Sequence, residues 1–90
     1  MKQLAMSTKE IKNLEIKPNL VNSGIQATFE VEGQQYFADI CCLPFGIGNE
    51  CMIFAVNDGK IDWSELYCNR SISVTEDDLK ECINEFVESL

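Results

Sequence analysis

The chain has 90 residues, no histidine, and 7 basic against 15 acidic side chains, a formal charge of −8. That length suits one domain spanning residues 1–90 with a small core, and 46% apolar with 24% charged residues excludes a disordered chain. A pI near 4.3 argues against a direct grip on DNA, RNA or an anionic membrane and suits a basic partner.

From the start of the chain, no apolar run follows Lys2 that could serve as a secretory signal, and none is long enough to span a bilayer. Ser7 and Glu10 have capping-box spacing and Met6 and Ile11 have staple spacing, which admits a short N-terminal helix of about two turns. A strand is expected over residues 14–20, ended by the turn residues Asn22, Ser23 and Gly24. Pro18 lacks an N–H donor, so this strand belongs at an edge or at a bulge.

Residues 25–32 alternate, with Ile25, Ala27, Phe29 and Val31 on one face and Gln26, Thr28, Glu30 and Glu32 on the other. Period two with β-forming residues predicts a half-buried strand. Glu32-Gly33-Gln34 reads as a turn into a second strand over residues 35–42. A loop with two glycines, Gly46 and Gly48, comes next. Residues 51–56 are apolar on both faces, which predicts the most buried strand. Asp58-Gly59 is a strong type I′ hairpin signal, so residues 61–68 should pair back.

Residues 75–90 read as an amphipathic helix. Thr75 is a good N-cap, Asp78 stands three residues on, and Glu76, Asp77 and Asp78 fill a first turn that favours negative charge. Leu79, Cys82, Ile83, Phe86, Val87 and Leu90 then make one apolar stripe. Short connections favour antiparallel pairing. The expected fold is therefore α+β: an antiparallel sheet of about five strands in a meander, with the C-terminal helix packed on one face.

The sequence offers little chemistry. Its five cysteines, at 41, 42, 51, 68 and 82, lack the paired spacing of a zinc site and have no histidine to activate them. The odd count fits a reducing cytoplasm, although one disulfide is compatible with it. Asn57-Asp58-Gly59-Lys60-Ile61-Asp62 fails the calcium-loop pattern, and neither phosphate-loop pattern occurs. The carboxylate clusters are what 15 acids in 90 residues produce by chance. No catalytic residue, metal site or cofactor is therefore expected, and the protein reads as a binding module rather than an enzyme.

The recognition signal lies in the segment 58–67. It joins Asp58, Asp62 and Glu65 to Tyr67 and to Trp63, the chain's single tryptophan, with Glu50 a further acid upstream. Aromatic side chains anchor binding hot spots and acids steer basic partners. Strict alternation puts Ile61, Trp63, Glu65 and Tyr67 on one strand face. On that face the aromatics either meet a partner or cover the core under the helix.

The runs Asn49-Glu50-Cys51-Met52-Ile53-Phe54, Asp58-Gly59-Lys60-Ile61-Asp62-Trp63-Ser64-Glu65-Leu66-Tyr67-Cys68 and Val74-Thr75-Glu76-Asp77-Asp78-Leu79 resemble small bacterial immunity proteins of contact-dependent growth-inhibition systems. The resemblance covers about residues 49–90. It implies a cytoplasmic protein that binds a cognate toxin's C-terminal domain, often a nuclease with a cationic cleft, and blocks it. An alternative with the same acidic face is a phage-type anti-CRISPR or DNA-mimic inhibitor.

Overall fold

A computed structural model describes residues 9–21 and 23–90. Five strands run in order: β1 (Ile11–Asn19), β2 (Gly24–Val31), β3 (Gln34–Cys42), β4 (Asn49–Asn57) and β5 (Lys60–Asn69). They form one antiparallel sheet in which each strand pairs with its chain neighbours, β1-β2-β3-β4-β5. Helix α1 (Glu76–Glu88) follows and packs on one face, so the fold is α+β as expected.

The two tight hairpins form for a local reason. Glu32 and Gly33 have φ of 51° and 84°, and Asp58 and Gly59 have 53° and 75°. Paired positive φ is the type I′ geometry that matches strand twist, and glycine enters it without steric cost.

The alternation of β2 sets the core. Ala27, Phe29 and Val31 face the helix together with Tyr36, Ala38 and Ile40 of β3 and Cys51 and Ile53 of β4. Ala27 lies directly opposite Ala38, so small side chains floor the centre of the sheet. The helix stripe of Leu79, Cys82, Ile83, Phe86 and Val87 is buried against this floor, while Leu90 lies past the end of α1 and is exposed. Phe86 stands edge-on to Phe29, Tyr36 and Tyr67 at centroid distances of 6.4, 5.1 and 6.3 Å. Burying a side chain of this kind contributes about 1.5–3 kcal/mol.

The beginning of the chain departs from expectation. Residues 1–8, and with them the helix signals at Met6 and Ser7, lie outside the described residues. Ile11, the staple partner, is already in strand: β1 starts there rather than at residue 14. A bulge between Lys12 and Glu15 is the physical reason. Asn13 takes φ of 56° there, and its amide donates to Glu30 Oε1 at 3.3 Å. Pro18 lies on an edge strand, as its missing donor requires, and still pairs with Ile25.

Candidate functional site

The sheet face away from α1 carries a second, smaller apolar group. Phe37 and Phe54 are direct cross-strand partners on β3 and β4, with rings stacked at 6.5 Å. Trp63 of β5 meets Phe54 edge-on at 5.1 Å. Phe54 is only 4% exposed although no helix among the described residues covers its side of the sheet, whereas Trp63 remains 69% exposed.

Trp63 owes this position to an irregularity in β5. Ile53 pairs with Tyr67 and Ala55 pairs with Asp62, so the single residue Phe54 faces Trp63, Ser64, Glu65 and Leu66. Four residues against one force the edge strand to bulge outward. Asp62 tightens the bulge by accepting a hydrogen bond from the Ser64 N–H at 3.0 Å. Ser64, Glu65 and Leu66 are all exposed beside Trp63. The outcome is an exposed indole held edge-on against Phe54 beside the bulge.

The residues singled out from the sequence divide into two groups. Asp58 sits exposed in the β4–β5 turn, and Asp62, Trp63 and Glu65 are exposed on the adjoining part of β5. These four share one exposed hairpin, with Asp62 paired to Ala55 and Trp63 packed on Phe54.

Glu50 and Tyr67 do not join them. Glu50 is 8% exposed and already committed: Arg70 Nε donates to its Oε1 at 2.8 Å, and the Cys68 thiol approaches the same oxygen at 3.7 Å. Tyr67 lies on the helix side, where its hydroxyl donates to Glu85 and accepts from the Asn69 amide at 3.4 Å. Burial first, and then Glu85, raise its pKa and hold the phenol protonated. The shared face expected for Ile61, Trp63, Glu65 and Tyr67 is thus corrected. The bulge breaks the alternation, sending Trp63 to the open face and Tyr67 under the helix. Phe54, which seats Trp63, and its stacking partner Phe37 escape sequence reasoning because their pattern is that of ordinary strands.

The remaining chemistry is subdued. Burial pushes the thiols of Cys51 and Cys82 up, so neither is a thiolate at neutral pH. All five cysteines are free. Among the described residues no group of three or more Cys, Asp or Glu is placed to hold a metal ion, and no helix is long and apolar enough to cross a membrane. One cleft of about 250 Å³ runs from Asn13 of β1 across to Val56 of β4, and another of about 270 Å³ lies between β1, β2 and the start of α1; neither is lined by Trp63. No protein-family model matches the chain, and comparison with curated proteins and with solved structures gave no match.

Proposed function

We propose that this chain is an immunity-type inhibitor, which binds the basic C-terminal domain of a cognate bacterial toxin and blocks its active-site cleft. The toxin domain in this reading is a nuclease, whose phosphate-binding cleft is cationic. The observation that carries the reading is Trp63, held on Phe54 yet 69% exposed, in a bulge flanked by Asp58, Asp62 and Glu65. An aromatic anchor with an acidic surround is the arrangement that gives a protein interface both affinity and steering. The acids bring the basic surface in, and the indole and Leu66 supply the dehydrated contact. The resemblance over residues 49–90 supports the same reading, since it includes the whole of this segment.

Co-purification with the product of the adjacent upstream gene tests it. A stoichiometric complex should form at low and moderate salt, and Trp63→Ala should weaken it by about 2 kcal/mol or more while leaving the free protein folded. Absence of a complex at both salt concentrations would refute the proposal.

A further inference from the structure

The open face of the sheet extends from Trp63 across β4 to β3. Phe37 and Asp39 of β3 lie directly opposite Phe54 and Met52 of β4, and Cys68 of β5 lies opposite Met52 on its other side. Asp39 is thus the diagonal neighbour of Phe54, about 7–8 Å away. Phe37 and Met52 are half-buried although no helix among the described residues covers this face. The block is apolar at its centre, and Trp63 closes one end of it by standing on Phe54 at 5.1 Å.

Carboxylates surround this block. Burial first, then Asp39 and Glu50, raise the pKa of the Cys41 thiol, and burial, then Glu50 and Glu65, raise that of Cys68. Asp39, Glu50 and Glu65 therefore all act on one patch. Among the described residues Arg70 pairs with Glu50, and neither Asp39 nor Glu65 has an ion-pair partner. Asn19 hydrogen-bonds the Asp39 carboxylate, but its Oδ1 stays buried with no partner among the described residues. A half-buried carboxylate placed in this way costs the free fold stability unless a cation joins it.

We propose that this face receives an arginine side chain of the basic partner, its guanidinium laid against the Trp63 indole and drawn there by Asp39 and Glu65. Such a contact rests on the functional reading above, which supplies the basic partner. Charge complementarity selects the occupant. A second copy would bring the same acids face to face, and an anionic lipid surface would be repelled by them. Among cations, the planar and weakly hydrated guanidinium stacks on an aromatic ring and enters a half-buried site more readily than an ammonium does. Its alkyl stem lies over the apolar centre formed by Met52 and Phe54.

Trp63 is the chain's single tryptophan, so its fluorescence reads this site alone. A short oligoarginine peptide titrated into the full chain at low salt should give a saturable change in Trp63 emission, with affinity about fivefold above that of an oligolysine of equal length. Asp39→Asn and Glu65→Gln should each weaken binding about threefold, whereas Glu81→Gln on the exposed side of α1, an equal change in charge, should alter it far less. Glu65 is exposed, so its replacement leaves the fold intact and the loss is one of contact. No saturable change, equal affinity for the two peptides, or an equal loss with Glu81→Gln would each overturn the proposal. If oligoarginine binds in this manner yet no toxin complex forms, the arginine site stands and the functional reading falls. A toxin complex with none of these responses leads to the opposite conclusion.

Discussion

Asp39 and Glu50 are acids on the same open face of the sheet, and they meet opposite fates. Glu50 is satisfied by Arg70 at 2.8 Å. Asp39 has a buried Oδ1 with no hydrogen-bond partner among the described residues. Burial raises its pKa above the ordinary value, and the hydrogen bond from Asn19 only partly opposes this. A carboxyl that holds its proton more tightly when folded stabilises fully below the unfolded value, about pH 4, and loses that contribution as pH rises through the folded value. Asp39→Asn removes the charge and should therefore be more stable than the parent chain at pH 7, by about 1 kcal/mol. The gain should shrink towards zero near pH 3, where Asp39 is itself neutral. Urea unfolding midpoints at the two pH values measure the difference, and a variant less stable at pH 7 contradicts the account.

Helix α1 shows what local sequence can specify. The Thr75 hydroxyl accepts from the Asp78 N–H at 3.1 Å, while Asp78 Oδ2 accepts from the Ser73 N–H at 2.8 Å, so the first turn is capped from two directions. Thr75→Ala should cost about 1 kcal/mol, read as a lower urea midpoint with an unchanged slope. An unaffected midpoint would mean the helix is held by its buried stripe alone. Cap, acidic first turn and apolar period all agree within this one short element, which is why it is legible from the amino-acid order alone. The meander is legible too, because Glu32-Gly33 and Asp58-Gly59 announce their turns. The two bulges are not. Ile11 and Ile16 are five residues apart, the wrong parity for one strand face, yet both pack against the core because the bulge at Asn13 restores the phase. In β5 the phase slip opposite Phe54 comes from packing between strands, so alternation along the chain wrongly joins Tyr67 to Trp63. Glu50 is misplaced for a similar reason: its partner Arg70 is twenty residues away in sequence and meets it only across the β4–β5 ladder.

Across the whole molecule the charge is segregated. The acids gather around the β4–β5 hairpin and along α1, lysines punctuate β1, and the opposite tip is neutral. Under the proposed function this asymmetry governs the approach of a basic domain more than the final grip. Replacing Asp58 and Asp62 with lysine removes two negative charges and adds two positive ones, taking −8 to −4. Association with the toxin domain should slow about tenfold at low salt, with a smaller change in dissociation and convergence of the two proteins at high salt. Stopped-flow measurements across ionic strength would show it, and an unchanged association rate would place the steering field elsewhere. The order of the chain has a consequence of another kind. Strand-to-neighbour pairing lets the hairpins zip up early and locally, but α1, which supplies the lid for Phe29, Tyr36 and Ile53, follows all five strands. On the ribosome, the greasy underside of the sheet must therefore wait bare until the last of these elements emerges, and that interval is when the nascent chain is most exposed to misassembly.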